Sequence, residues 1–152
     1  MPKKRMQRKD EKEKVLIEAD VGFMGMIQAD KPYVIPMSFA YIDDKIFLHS
    51  ALQGLKLECI RTNPEVCFSV AEHELVPNTD PCEFSVRYRS VIARGKAEIM
   101  DEPDEKLKAL NIIAAKYAKG ASLSPIDPKK VQAVAIIVIN IDEITGKYNV
   151  AD

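Results

Sequence analysis

His49, Ser50, Gly54 and Lys56 fall together in the stretch HSALQGLK. Ser50 places a hydroxyl just ahead of an expected helix, whose first N–H groups have no intrahelical acceptors. Lys56 puts a cation into the first turn of that helix, where the helix dipole disfavours it. A hydroxyl, free amides and an ammonium together suit a phosphate. The same residues also suit a plain connection, with Ser50 as a cap and Lys56 in solvent. Arg87 and Arg89 lie two apart on an expected strand and share a face with Ser85. If that face lines a cleft they can meet a phosphate or a carboxylate; if it faces water they are ordinary surface residues.

Other chemistry is sparse. The sequence has no G-x-G-x-x-G, no Walker loop, no H-E-x-x-H and no G-x-S-x-G. His49 and His73 are the only histidines, and neither has Cys or carboxylate partners at metal-ligand spacing. A Cys–His nucleophile pair stays open, because such partners meet in space. Cys59, Cys67 and Cys82 are odd in number and form no C-x-x-C pair, which argues against a disulfide framework. Cys59 and Cys67 read as buried thiols.

Length and composition bound the rest. The 152 residues are 47% hydrophobic, which predicts one domain over 1–152, with an N-terminal arm and helix over 1–20. Charged residues make up 30% and the net charge is -1; this argues against disorder and against nucleic-acid binding driven by net charge. Basic residues do gather early, as Lys3, Lys4, Arg5, Arg8, Lys9, Lys12 and Lys14 against Asp10, Glu11 and Glu13. They form either a solvated arm or a contribution to an anionic ligand or partner. No apolar run approaches the ~20 residues of a membrane span, and no signal peptide is visible, so a cytoplasmic location is expected.

Periodicity supplies the elements that must position these residues. A helix is expected over 10–20, with Val15, Leu16 and Ala19 inward, and a strand over GFMGMIQ. Asp30-Lys31-Pro32 signals a turn. Over 33–42, Tyr33, Ile35, Met37, Phe39 and Tyr41 alternate with Val34, Pro36, Ser38, Ala40 and Ile42, which predicts a strand, and Pro36 marks an edge or a bulge. Asp43-Asp44 turns the chain into a strand over 45–49. A short helix over 54–62, with Leu55, Cys59 and Ile60 apolar, leads to a strand over 66–71 and a loop over 73–83. A long strand or a bent pair, with its bend at Gly95, spans 84–100. A helix follows over 103–119, with a stripe of Leu107, Leu110, Ile113, Ala114 and Tyr117 and a stop at Gly120. Residues 121–130 read as loop. The last strand, 132–141, is apolar on both faces, so a helix or a second subunit should cover its outside. The sum is mainly β: a six- to seven-stranded antiparallel barrel with a few peripheral helices.

In order and spacing, KPYVIPMSFAYIDDKIFLHSALQGLKLECIRTNPEVCFSV resembles the core of the pyridoxamine 5′-phosphate oxidase-like superfamily. More narrowly it resembles the nitroimidazole-resistance flavin-binding proteins. The resemblance rests on Tyr33, Val34, Pro36 and Phe39, then His49, Ala51, Gly54 and Lys56, then Asn63, Pro64, Val66 and Phe68. Tyr88, Ser90, Val91, Ile92 and Gly95 match a later strand, and RKD at 8–10 and TGK at 145–147 match the flanks. This likeness implies a split β-barrel homodimer with FMN at the subunit interface and a small-molecule aromatic or nitro acceptor. It implies that the flavin phosphate meets His49, Ser50, Ala51 and Lys56. The isoalloxazine ring would run beside Pro36, Met37, Ser38 and Phe39, and Arg89 and Ser90 would add polar contacts. His49 would stand as the catalytic candidate near the redox substrate, with no metal and no nucleic acid involved. A flavin carrier without turnover, or a barrel holding haem or a deazaflavin, stays open beside this.

Overall fold

The computed structural model describes residues 4–149, so Lys3 of the basic arm lies outside the described residues. Eight antiparallel strands form one sheet. They are β1 (Lys4–Arg5), β2 (Gly22–Gln28), β3 (Lys31–Met37), β4 (Ala40–Ile42), β5 (Lys45–Ala51), β6 (Glu65–Val76), β7 (Ser85–Met100) and β8 (Val134–Asn149). The helices are α1 (Lys9–Glu18), α2 (Leu55–Thr62), α3 (Pro103–Ala118) and α4 (Pro128–Gln132). The strand order is β3-β2-β6-β7-β8-β5-β4, and β1 adds Lys4 and Arg5 beside Tyr148 and Lys147 of β8. The mainly β expectation holds, with β1 as the strand that periodicity did not reveal.

The strand order and the chain together close the sheet. β3 and β4 stand at its opposite ends, yet only Ser38 and Phe39 separate them. Such a link reaches about 10 Å at most. The two outer edges must therefore meet there, and the sheet rolls into a barrel split along that seam. The expected single strand 33–42 is thus two strands, because the chain changes partner: Met37 pairs with Gly22, and Ala40 pairs with Phe47. The alternation still carries across the break. Phe39 is buried in the interior, Tyr33, Ile35, Met37 and Tyr41 pack against it, and Val34, Pro36, Ser38 and Ile42 are exposed. Pro36 lies on β3, an edge strand, where a missing N–H donor is tolerated.

Two tight hairpins flank the seam. Ala29 and Asp30 have φ of 46 and 61, and Asp43 and Asp44 have 48 and 60. Positive φ at both central residues is the I′ geometry that matches strand twist. The turn at Asp43-Asp44 falls where expected. The earlier one sits before Lys31 and not on it.

Three boundaries differ from the sequence reading. β6 runs on to Val76, because Glu72, His73 and Glu74 pair across with Arg89, Tyr88 and Arg87. The stretch 121–130 holds the start of α4, where the Asp127 carboxylate accepts from the Lys129 N–H at 2.9 Å. β8 starts at Val134 and extends to Asn149.

The barrel interior is filled by Met24, Met26, Phe39, Phe68, Val91 and Ile137, with Val15 and Leu16 of α1 and Leu57 of α2. Phe39 and Phe68 meet edge to face, with centroids 4.8 Å apart. A second apolar cluster lies outside the barrel, where Ala109 and Ile113 of α3 cover Ala40, Phe47, Ile136 and Val138. This explains the two-sided apolar run of β8: one face looks into the barrel, the other into α3. In α2 the inward residues are Leu57, Cys59 and Ile60, while Leu55 is exposed. Cys59 is buried, Cys67 half-buried and Cys82 exposed, and none is in a disulfide. No helix among the described residues is long and apolar enough to cross a membrane.

Candidate functional site

The end of β5 and the start of α2 build the first part of the site. Ser50 pairs with Ala135 of β8 and turns its side chain inward. It is 6% exposed, and its hydroxyl has no hydrogen-bond partner. A buried hydroxyl without a partner is uncommon and calls for an explanation. Ala51 to Gly54 then run exposed to the helix, and Gly54 has φ 145 and ψ 166. That conformation is essentially open to glycine only. The first helical bonds run from the N–H groups of Leu57 and Glu58 to the Gly54 carbonyl, at 3.1 and 3.3 Å. The N–H groups of Leu55 and Lys56 precede them and have no intrahelical acceptor. Lys56 is half-buried, and its ammonium has no ion-pair partner among the described residues.

The seam forms the second part. Pro36, Met37, Ser38 and Phe39 carry the chain from one sheet edge to the other. At Phe39 the backbone has left its strand partner, and Tyr117 at the end of α3 substitutes for it. The Tyr117 hydroxyl accepts from the Phe39 N–H at 2.9 Å and donates to the Asp20 carbonyl at 2.6 Å, with the Phe39 carbonyl 3.2 Å away. Lys116 beside it sends its ammonium to the Ala19 carbonyl at 2.5 Å, over the Phe39 ring at 3.6 Å. One turn of α3 thereby fixes the seam and the end of α1.

Burial pushes the Lys116 ammonium down to about 8 from the ordinary 10.5, against the opposing pull of Asp20. The unfolded chain therefore keeps this proton to higher pH than the folded one. Between those two values this group makes stability rise with pH; well below them it contributes no pH dependence. Lys116→Met keeps the apolar stem and removes the charge. Urea unfolding at about pH 7 and about pH 9.5 should show wild type gaining stability relative to Lys116→Met at the higher pH. A constant difference between the two proteins would count against a buried, depressed ammonium.

His49 and Ser50 do not act on one face. Strand alternation sends Ser50 inward and His49 outward, where His49 is exposed. There His49 borders a cleft of 440 Å³ with Ser38, Leu110, Ile113, Tyr117 and Lys130 among its walls. The structure thus joins His49 to Ser38 on the outside of the barrel, and places Ser50 on the other side of the strand.

The strand residues Arg89 and Ser90 lie elsewhere along the sheet. Arg89 of β7 forms ion pairs with Glu18, at 2.8 Å, and with Glu72. Those carboxylates raise its pKa, Glu18 most, against the cost of burial. Ser90 pairs with Ala71 and Lys147. Arg87 reaches Glu74 at 3.5 Å, and its Nε is buried without a partner. The guanidinium of Arg89 is therefore already held by two carboxylates of its own chain.

Tyr117 and Lys130 are site residues that the sequence reading did not single out as such. Periodicity gives Tyr117 only as the last member of the α3 stripe. In the structure Lys106, Ala109 and Ile113 are the buried residues of α3, while Leu110, Ala114 and Tyr117 turn toward the cleft. The available signal was a stripe wider than one sheet strand could bury. Lys130 gave none, since its place depends on α4. No group of three or more His, Cys, Asp or Glu side chains is placed to hold a metal among the described residues.

Comparison with known proteins bears on this arrangement. The family profile described as "Pyridoxamine 5′-phosphate oxidase" matches residues 8–148. A candidate 5-nitroimidazole antibiotic resistance protein from Bacteroides thetaiotaomicron is 32% identical, with a TM-score of 0.84; the match covers 97% of this chain and 89% of that one. An FAD- and haem-binding protein from Mycobacterium smegmatis superposes with a TM-score of 0.86 at 20% identity, over 97% of this chain and 74% of that one. A flavocytochrome from Azotobacter vinelandii does so with a TM-score of 0.82 at 20% identity, over 97% and 70%. At that identity the last two bear on the fold alone.

Proposed function

Since the chain belongs to the pyridoxamine 5′-phosphate oxidase family, we propose that it binds FMN and passes electrons from the flavin to a small aromatic or nitro acceptor. The observation that carries this reading is the buried, unpartnered hydroxyl of Ser50 ahead of a glycine-led helix start. A phosphate oxygen is a fitting partner for that hydroxyl. The N–H groups of Leu55 and Lys56 and the Lys56 ammonium supply the remaining donors, and the positive end of α2 favours the anion. Gly54 and the exposed Ala51 leave backbone free to approach it.

Pro36, Met37, Ser38 and Phe39 would lie along the ring system, where the seam leaves backbone groups outside the regular ladder. Bound flavin supplies the redox chemistry, and the chain supplies position and electrostatics. That division agrees with the scarcity of side-chain catalytic sets in this sequence. His49, exposed at the cleft beside Ser38, is the side chain able to hold or deliver a proton there.

The reading includes a homodimer with the cofactor at its interface. It is supported by a sheet face whose apolar side chains stay exposed among the described residues. Phe23 lies opposite Pro36 on β3 and Ser69 on β6, and Ser69 lies opposite Ile92 on β7. Phe23, Ile27, Val34 and Ile92 are all exposed on it. An apolar face of this kind marks an interaction surface, and it adjoins the 36–39 stretch through Pro36.

Purified protein should be yellow and should release FMN, identified by mass, on denaturation. Stopped-flow reduction by NADH or NADPH, followed by reoxidation with a nitroimidazole, would separate turnover from carriage. A colourless protein that takes up no FMN on titration would sink the proposal.

A further inference from the structure

The outward cleft beside His49 has a character that flavin binding does not require. Its volume is 440 Å³, and its walls are Leu110, Ile113, Ala114 and Tyr117 of α3, Ile126 of the following loop and Val134 of β8, with Ser38, His49 and Lys130 as its polar members. No aspartate or glutamate among the described residues lines it. Neither the His49 imidazole nor the Lys130 ammonium has a hydrogen bond or ion pair with another described residue. The cleft is thus an apolar slot whose only formal charge is positive. An uncharged apolar slot would take any greasy ligand. A slot with an unneutralised ammonium at its rim selects an apolar body that carries an anion.

We propose that this cleft binds small planar aromatic carboxylates, with the ring between α3 and the β5–β8 surface and the carboxylate at Lys130 and His49. Leu110 and Ala114 of α3 are only half-buried and Tyr117 is exposed, so part of this apolar helix face stays open to the slot. The site adjoins Ser38, so its purpose rests on the flavin reading above, whereas occupancy by the acid does not.

The test is equilibrium dialysis at low salt with 4-nitrobenzoate and its neutral analogue 4-nitrobenzamide, on the protein with and without FMN added. The acid should bind about 5- to 10-fold more tightly than the amide, as expected for one charge-assisted contact at a half-open site. Lys130→Met should bring that ratio to about 1 while leaving the amide's affinity in place. Ala114→Leu, which fills the slot from a half-buried position on its wall, should weaken both probes by about 10-fold or more. FMN uptake should be unchanged in both variants. Equal binding of acid and amide by wild type, a preference that survives Lys130→Met, or loss of both probes once FMN is bound would each overturn the proposal; the last would make the cleft part of the flavin's own site. If the probes bind as expected but FMN is never taken up, the flavin reading falls and the carboxylate site stands.

Discussion

Gly95→Ala should cost more than about 3 kcal/mol of folding stability, or abolish folding, because there is no room for one more carbon. A Cβ built at Gly95 lies 2.0 Å from the Asn140 carbonyl oxygen, 2.8 Å from its carbon and 3.0 Å from the Ile141 Cα. All three are backbone atoms of β8, so no side chain can rotate aside. The position is the one place where the β7–β8 register shifts: Arg94 pairs with Glu143 and Gly95 with Ile141, leaving Asp142 as the extra residue. Such a bulge bends a strand pair and increases its twist, and these two strands of 16 residues each must bend to roll the sheet. For a chain of this length the loss corresponds to a melting point lower by roughly 6–12 °C. Thermal and urea unfolding of the variant would measure it. A shift under about 1 kcal/mol would mean that the close approach at Asn140 is relieved in solution.

Ser50→Ala should move two measurements in opposite directions. Without flavin, the substitution removes a buried hydroxyl that has no partner, so the variant should be more stable than wild type by about 1 kcal/mol. With flavin, it removes a donor to the phosphate, so FMN affinity should fall by about 3- to 10-fold. Lys56→Ala should weaken FMN further, by about 10- to 100-fold at low salt, and the loss should shrink as salt is raised. Gly54→Ala probes the same cradle through the backbone: it has open space for a Cβ but a φ of 145 that alanine resists, at about 1–3 kcal/mol. Unfolding free energies and flavin fluorescence titrations give both quantities. A Ser50→Ala protein that is destabilised without flavin, or that binds FMN as wild type does, would remove Ser50 from the phosphate site.

The parts of the fold that could be read from the sequence are those whose partners are local. The 33–42 alternation, the Asp43-Asp44 turn and the short helix after Gly54 each depend on neighbours in the chain. The second half of β8 could not be read, because Asp142, Glu143 and Lys147 interrupt the apolar pattern and β1 and β7 supply the pairing. β6 beyond Ala71 was hidden for the same reason, since its polar residues lie opposite Arg87 and Arg89. The site divides in the same way. The run from His49 to Lys56 stood out by residue type and spacing. That His49 and Ser50 face opposite sides follows from strand alternation, and it was open to inference. The ion pairs of Arg89 with Glu18 and Glu72 were not, because Glu18 is 71 residues away. The α3 stripe could be read as an apolar helix face, but not that part of it borders an open cleft, because that depends on the strands and the loop packed beside it.

The strand order has a kinetic consequence. β2 with β3, and β4 with β5, are hairpins joined by two-residue turns, while β6 and β7 with the later β8 form the middle of the sheet. The hairpins can form early and independently. They must then dock on opposite flanks, through the pairing of Phe23 with Ser69 on one side and of Leu48 with Ile137 on the other. Because Ser38 and Phe39 tether the hairpins to each other, docking the first confines the second before its own place exists. Closure therefore waits for β8, the last of the described strands in chain order, and the loops it closes are long. Refolding should fall in the slower, millisecond-to-second range of non-local β proteins. Until β8 arrives, the free edges of β5 and β7 are the parts of the nascent chain most open to pairing with the wrong neighbour.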